Sequence, residues 1–479
     1  MNKRNVFIVI GIVVFLIFCC LVISATGVGT FLISKNIISQ NDNTHPSITT
    51  LPPVQDGSKS TLEPVFTPEI KNENDTEDPD ENLLSKMEFI EDQVESLRGL
   101  SLSNEVTRKT LPQAELRQRV MDDFFADYTM EDSQKDALIL DLFGFLEKDF
   151  DLYNLYLDLY SEQIAGFYDD ETREMVVVQG EAFTGSEKMT YAHEFTHALQ
   201  DEAFDLKNGL KLDEEYCMQD SEYCAAVQAL VEGDATLTET LWFLEHSSNQ
   251  DKRDILELYD NYQSPIFDSA PAFLQEDFLF AYSQGLEFVQ SLYDEGGFSA
   301  VDAAYLNPPL STEQILHPDR YPDDIPARLD LPDFSENLGE GWEEIDRNSL
   351  GEWYTYLLLA KAYDPSFRIN EDQAKISVEG WGGDQYLVYR NTEISQEILV
   401  YRSDWDTEKD ASEFWDQFVK YGNNRWGQVE KSGKDYFQWL RDDQVISISL
   451  QSNQVLWVIA ADDELSMKIL TSFPNFLLE

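Results

Sequence analysis

The chain has 479 residues, a formal net charge of −57 at pH 7 and four cysteines. Its length allows two or three domains with a substantial buried core. A surface with so many acidic groups repels nucleic acid and anionic lipid headgroups, so neither is expected as a binding partner. The charge is compatible with basic substrates, although a strongly acidic surface more often serves solubility alone.

The first region in chain order is apolar. Residues 5–34 contain no charged side chain, and residues 6–23 are almost continuously apolar. This length predicts an N-terminal transmembrane helix. Two basic residues precede it, so the positive-inside rule predicts a single-pass protein of the cell membrane with an extracytoplasmic remainder. A cleaved signal peptide is the alternative. We therefore expect residues 1–35 to form a cytoplasmic tip and a membrane anchor.

A polar linker and a set of helices follow the anchor. Residues 36–82 are rich in Asn, Asp, Thr, Ser and Pro and poor in large apolar side chains, which predicts a disordered linker. Apolar residues then recur at helical spacing over 83–97, 113–128 and 133–160. This part of the chain is therefore expected to be mainly helical.

Two short β-type segments come next, at 164–168 and 174–178. The turn residues between them predict a β-hairpin. If its second strand lies at a sheet edge, its free backbone groups could pair with an extended peptide. An ordinary hairpin that packs on the domain is the alternative.

The most specific motif of the chain follows the hairpin. His193, Glu194 and His197 form the pattern H-E-x-x-H, and a T-x-x-E capping box at 184–187 indicates that a helix carries it. On a helix, two histidines four residues apart leave the same face. They can hold one Zn²⁺ between them, while the glutamate lies beside the ion without binding it. Two chance histidines on one helix face are the alternative.

A catalytic zinc also needs a third protein ligand and an open position for water. Glu232 is our prediction, because it lies between apolar residues on a second predicted helix, where a cation would stabilise its charge. Glu239 on the same helix is the alternative. The neighbouring Gly233 would let another helix approach closely. Asp201 and Asp234 are candidates for accepting the second ring N–H of a ligating histidine.

The C-terminal part changes to a mixed pattern, which predicts a separate α+β domain over 367–479. Cys217 and Cys224 precede it, and an exported chain could join them in a disulfide, although their spacing alone leaves the pairing open. The predicted strands and helices of the C-terminal domain are strands at 375–378, 385–390, 398–402, 444–450 and 454–460 and helices at 407–421 and 464–473.

HEFTHALQD at 193–201 and ALVEGDA at 229–235 together resemble a gluzincin-type zinc metallopeptidase, a group that includes the thermolysin-like enzymes. The segments AGFYDDETREMVVV, STEQILHP and GWGGDQY extend the likeness. With them, the chain from residue 83 onward resembles a group of bacterial membrane-anchored or exported metallopeptidases. The spacing from His197 to Glu232 is longer than in thermolysin-like enzymes, and Thr236 stands where their E-x-x-x-D pattern has its aspartate.

The resemblance implies an α+β fold in which residues 83–366 form a mainly helical, zincin-like metallopeptidase domain with a small edge-strand hairpin. It implies zinc as the cofactor and a peptide or protein as the substrate. Glu194 is then the general base that takes a proton from a zinc-activated water. His317, in STEQILHP, is the candidate catalytic donor to the developing oxyanion, with Tyr321 and Tyr282 as alternatives.

Two other functions stay open at this point. The first is a catalytically inactive exported binding module with a residual metal site. The second is a zinc hydrolase that acts on a non-peptide bond, because H-E-x-x-H specifies metal-assisted hydrolysis and not the bond that is cleaved. The sequence does not indicate an oligomeric state.

Overall fold

The computed structural model describes residues 79–163, 166–170, 172–178, 183–441 and 444–476. Two groups of helices lie in these ranges, one before and one after residue 340. The first group is α1 (Pro79–Arg98), α2 (Gln113–Asp127), α3 (Met130–Phe143), α4 (Leu152–Gln163), α5 (Gly185–Phe204), α6 (Glu214–Cys217), α7 (Ser221–His246), α8 (Asn249–Asn261), α9 (Pro265–Ser269), α10 (Ala272–Gly296), α11 (Phe298–Leu306), α12 (Thr312–Leu316) and α13 (Ser335–Leu338). The second group is α14 (Gly351–Ala360), α15 (Glu371–Val378), α16 (Glu408–Trp426) and α17 (Asp463–Leu470).

The described strands form two sheets. The smaller sheet has three strands in the order β1-β3-β2, and the larger has seven in the order β4-β5-β6-β10-β9-β8-β7. The strands are β1 (Thr107–Leu111), β2 (Gly166–Asp169), β3 (Glu174–Val178), β4 (Trp342–Asn348), β5 (Trp381–Asn391), β6 (Gln396–Trp405), β7 (Val429–Ser432), β8 (Tyr436–Arg441), β9 (Gln444–Gln451) and β10 (Gln454–Ala460). The architecture of the described residues is thus α+β.

The predicted transmembrane helix and the predicted location in the cell membrane require correction. No helix of the described residues combines the length and the apolar content needed to cross a bilayer. The longest, α7, carries Glu232, Asp234 and Glu239 in its middle, where a bilayer-spanning helix rarely bears charge. The predicted anchor at 1–35 lies outside the described residues, as does nearly all of the predicted linker at 36–82.

The small sheet contains the predicted hairpin, because β2 and β3 pair in antiparallel register. Its second strand, however, is not at an edge. β1 pairs in parallel with β3 on the other side, from Thr107 opposite Glu174 to Leu111 opposite Val178. The condition that residues 174–178 lie at a sheet edge is therefore not met, and β2 is the edge strand of the hairpin.

Three helices, α5, α7 and α10, form the centre of the helical region. The backbones of α7 and α10 come into direct contact, since a Cβ on Gly233 would collide with the carbonyl oxygen of Gly285. The prediction that Gly233 permits a close helix approach is confirmed. A disulfide joins Cys217 at the end of α6 to Cys224 in the first turns of α7, and so fixes the start of α7.

The seven-stranded sheet is antiparallel throughout and separates two apolar layers. Helix α16 covers one face, where Phe418 packs edge-on against Trp457 at 4.9 Å between ring centroids. The predicted strand at 375–378 is wrong. These residues end helix α15, which begins where Asn370 accepts a hydrogen bond from the Gln373 backbone N–H at 3.3 Å. The sheet also takes in β4, which precedes the predicted domain start at residue 367.

Candidate metal centre

Helix α5 presents the H-E-x-x-H motif to the centre of the helical region. The helix begins after Thr184, whose backbone N–H donates to the Glu187 carboxylate at 3.0 Å, as the capping-box pattern predicts. Its central residues are buried against neighbouring helices on nearly every side. The two imidazole rings of His193 and His197 consequently project into the protein, with their centroids 4.8 Å apart.

Helix α7 brings Glu232 to the two histidines. Its Oε2 lies 3.2 Å from Nε2 of His193 and 3.5 Å from Nε2 of His197. One ligand atom from each of the three residues lies within 4.8 Å of the others, which is the spacing of ligands around one metal ion. The three side chains are at most 3% exposed. The structure thus brings the three predicted ligands together.

The donor atoms of this group fit a divalent cation such as zinc. Nε2 of His197 and Oε1 of Glu232 are buried and have no hydrogen-bond partner among the described residues. Leaving a buried polar atom without a partner costs roughly 1–3 kcal/mol, so such atoms normally indicate a bound group. Two imidazole nitrogens and one carboxylate are also the ligand types of a catalytic zinc.

Electrostatics distinguish Glu232 from Glu239. Burial opposes the ionisation of Glu232, yet the two imidazoles, when protonated, lower its pKa to about 2. For Glu239, burial dominates and raises the pKa. Burial lowers the pKa of His193, but Glu239 and Glu232 outweigh this effect and raise it. In this group, Glu232 is thus the carboxylate that keeps its negative charge.

The position of Glu239 also separates the two candidates. Its Oε2 lies 3.4 Å from Nδ1 of His193, on the side of the ring away from Glu232. The two atoms are buried and make no hydrogen bond within the described part of the chain, yet a carboxylate there is able to accept the Nδ1 hydrogen and so to orient the ring. Glu232 alone faces both Nε2 atoms, so the geometry favours it as the third ligand.

Glu194 lies between the ligand pair and the small sheet. It is 1% exposed, and its Oε2 accepts a hydrogen bond from the backbone N–H of Tyr168 at 3.1 Å. This N–H belongs to edge strand β2. The contact holds the Glu194 side chain in place beside the two histidines that flank it in the motif.

A buried polar network behind the ligands was missed by the sequence analysis. Gln200 accepts from Nδ1 of His197 at 2.8 Å and donates to Asp234 at 2.9 Å. Asp234 also receives hydrogen bonds from Arg98 and Tyr305. Asp234 thus lies one step behind the histidine that it was predicted to contact. The available signal was the position of Gln200, three residues after His197 on the same helix face.

The other predicted residues lie in different surroundings. Asp201 receives a hydrogen bond from the Tyr168 hydroxyl at 3.2 Å instead of contacting a ligand histidine. His317 pairs with Glu352 of α14 at 2.9 Å, and the Tyr321 hydroxyl donates to the Asn307 carbonyl. Tyr282 of α10 stacks on His193 with ring centroids 6.1 Å apart. Of the three candidate oxyanion donors, Tyr282 is therefore the one beside a ligand.

Comparison with known proteins covers a different part of the chain. Residues 337–468 match a family described as a domain of unknown function (DUF8575). This stretch runs from α13 to α17 and includes all seven strands of the larger sheet, but none of the metal-site residues. Neither the comparison with curated proteins nor that with solved structures gave a match. None of these comparisons bears on the candidate metal centre.

Proposed function

We propose that the protein is a zinc-dependent peptidase. One observation carries the proposal: His193, His197 and Glu232 converge with buried, unpartnered donor atoms, and Glu194 lies beside them in the motif. A purely structural metal site needs ligands but no adjacent base. The presence of a buried, positioned glutamate next to the ligands supports hydrolysis.

Each residue has a defined role in this proposal. A zinc ion at this site would polarise a carbonyl group and lower the pKa of a bound water. Glu194, held by the Tyr168 N–H, accepts the proton of the attacking water and passes it to the leaving amine. Tyr282, whose ring stacks on His193, is the candidate oxyanion donor in this proposal, since His317 pairs with Glu352 of α14.

A closed structural metal site is the second candidate function. His193, Glu194, His197 and Glu232 are all at most 3% exposed. A polypeptide reaches these groups only if neighbouring segments move apart, whereas a structural site stays closed. Metal content alone cannot separate the two functions, so the test must include catalysis.

The decisive substitution is Glu194→Gln in the full-length chain, with zinc content and proteolysis measured on the same preparation. We expect full zinc occupancy and a loss of activity of at least a hundredfold, since a general base contributes about 10²–10⁴-fold. Glu202→Gln, on the same helix but bonded to Arg173 at the surface, is the matched control and should retain activity. Activity that survives in Glu194→Gln would contradict the proposed mechanism.

The wild-type protein decides between the two candidate functions. Zinc binding without cleavage of any peptide in a broad library favours the structural site. Cleavage of ester or amide substrates but not of peptides would instead identify a hydrolase of a non-peptide bond. Glu232→Ala should lose zinc; if zinc stays and Glu239→Ala loses it, the third ligand is Glu239.

A further inference from the structure

The orientation of the Gln200 amide can be deduced from its partners. Its Nε2 donates to the carbonyl oxygen of Val231 at 3.0 Å and to Oδ2 of Asp234 at 2.9 Å. Both partners are acceptors, so the NH₂ group must face them. The amide oxygen is then left facing Nδ1 of His197 at 2.8 Å. The assignment follows from the hydrogen-bond network and needs no direct view of hydrogen atoms.

The orientation of the amide in turn fixes the tautomer of His197. An amide oxygen can only accept, so Nδ1 of His197 must carry the hydrogen. In the neutral ring, Nε2 then keeps its lone pair, and this atom lies 3.5 Å from Glu232 without a hydrogen-bond partner. The lone pair that a metal requires is therefore directed into the centre of the candidate site.

Asp234 holds this arrangement from behind. Its Oδ1 accepts from Nε of Arg98 at 2.8 Å, and its Oδ2 accepts from the Tyr305 hydroxyl at 2.9 Å. With Gln200 as a third donor, the carboxylate is fully hydrogen-bonded although it is 0% exposed. Its partners come from α1, α5 and α11, so three helices fix its position.

We propose that Gln200, held by Asp234, is a positioning residue that keeps His197 in its metal-binding tautomer. The inference rests on the proposed metal site and goes beyond it, because it assigns a function to two residues that do not touch the ion. Turning the Gln200 amide over would place an NH₂ group against Nδ1 and move the ring hydrogen to Nε2, where it blocks coordination.

Zinc affinity, measured by chelator competition on the full-length chain, tests this proposal without a substrate. Gln200→Met keeps the side-chain volume but removes the acceptor, and should weaken zinc binding about 10–100-fold. Gln438→Met is the matched control, since Gln438 on β8 is also buried and donates to Asp463 of α17, far from the metal-site residues in sequence. It should leave zinc affinity within about twofold. Unchanged affinity in Gln200→Met overturns the proposal.

A pair of substitutions at the network separates positioning from general destabilisation. Asp234→Asn removes one of the two acceptors that orient the Gln200 amide and leaves only the Val231 carbonyl, so zinc binding should weaken. In Gln200→Glu with Asp234→Asn, the new carboxylate accepts from His197 and from the new amide, while the Val231 carbonyl loses its donor. Zinc affinity should then recover toward the wild-type value. A double variant that binds zinc more weakly than both single variants contradicts the proposal. If Gln200→Met does not fold, the zinc affinities of Asp234→Asn and of the double variant test the proposal without it.

The outcomes distinguish this inference from the proposed function. Wild-type protein that binds zinc but cleaves no peptide removes the peptidase, while the affinity series still decides the role of Gln200. Wild-type protein that binds no zinc overturns both. A zinc-binding, active wild type with an unaffected Gln200→Met variant overturns the positioning role alone.

Discussion

Two buried carboxylates, one in each half of the molecule, show how similar burial leads to opposite chemistry. Asp384 on β5 accepts from the backbone N–H groups of Leu350 and Gly351 and from the Trp381 indole, all at 2.8–2.9 Å. Glu232 on α7 faces two imidazoles and keeps one oxygen without a hydrogen-bond partner. Asp384 is thus surrounded by neutral hydrogen-bond donors. Glu232 is surrounded by two imidazoles, which can take up a proton or bind a metal ion.

The pKa values of the two carboxylates follow this difference. Burial raises the pKa of Asp384 to about 6, because neutral N–H donors only partly replace water. The histidines instead lower the pKa of Glu232 to about 2. A carboxylate that fastens β5 to the start of α14 thus tolerates a proton, whereas the one at the candidate metal centre holds its charge for a cation. Burial alone identifies neither role.

Removing the cation from a buried carboxylate should have the largest effect. Arg98 donates to Asp234, and both side chains are 0% exposed. Arg98→Met leaves the Asp234 charge buried without a cationic partner, which should lower the free energy of unfolding by about 3–5 kcal/mol. Urea denaturation measures the change.

Lys409→Met is the control for this prediction, since Lys409 pairs with Glu413 where the two side chains are 74% and 38% exposed. A surface pair of this kind contributes little to the free energy of unfolding. If the two variants lose similar stability, the buried Arg98–Asp234 pair contributes no more than an exposed pair, and a buried carboxylate of this protein does not depend on a neighbouring cation.

A smaller effect should come from pH and Asp384. Its pKa is raised in the folded protein, so the folded state binds the proton more tightly than the unfolded state. This group therefore stabilises the fold as pH falls from 7 to 5, by roughly 1 kcal/mol. Asp384→Asn should remove that increment, as measured by urea denaturation at the two pH values.

Other buried carboxyl groups also contribute to the pH dependence of stability in this range. Glu222 is also buried, and burial raises its pKa in the same direction. Only the change in pH dependence between wild type and Asp384→Asn isolates Asp384. An unchanged pH dependence in the variant would show that dipoles alone keep this carboxylate ionised, which contradicts the contrast with Glu232.

Local patterns predicted much of this architecture. The capping box at 184–187 placed α5 correctly, because the signal lies within four residues. The helical pattern over 133–160 did not indicate the break between two helices, where Gly144 ends α3 with a φ of +88° and α4 starts at Leu152. The hairpin was predicted, but the pairing of β3 with β1 was not, since β1 lies more than sixty residues before β3 and nothing local indicates it.

At the candidate site, too, the sequence predicted the features that have a local signal and missed those that depend on distant parts of the chain. The H-E-x-x-H spacing indicated two ligands, and an acidic residue between apolar ones indicated Glu232. The sequence favoured Glu232 but left Glu239 open, because both lie on one helix and only the position of α5 decides which faces the Nε2 atoms. Arg98 and Tyr305 come from distant helices and carry no local signal of their contact with Asp234.

The smallest predicted effect concerns Glu239 and refines the comparison within α7 itself. Glu239 lies 3.4 Å from Nδ1 of His193, behind the ring, whereas Glu232 lies in front of it. Glu239→Gln keeps an oxygen that can accept the Nδ1 hydrogen but removes the charge. Zinc affinity should therefore fall by no more than about tenfold, the low end for a residue that supports a ligand.

The zinc affinity of Glu239→Gln is to be compared with that of Glu232→Ala. Loss of a direct ligand should abolish measurable zinc binding in the same chelator competition, while Glu239→Gln should retain it with an intact His193. Equal loss of zinc affinity in both variants would mean that Glu239 coordinates the ion directly, because an amide is a far poorer metal ligand than a carboxylate. If Glu239 only orients the His193 ring, the amide of Glu239→Gln can still accept the Nδ1 hydrogen, and most of the affinity remains. The position of one carboxylate relative to one imidazole thus decides which acidic residue on α7 binds and which one orients.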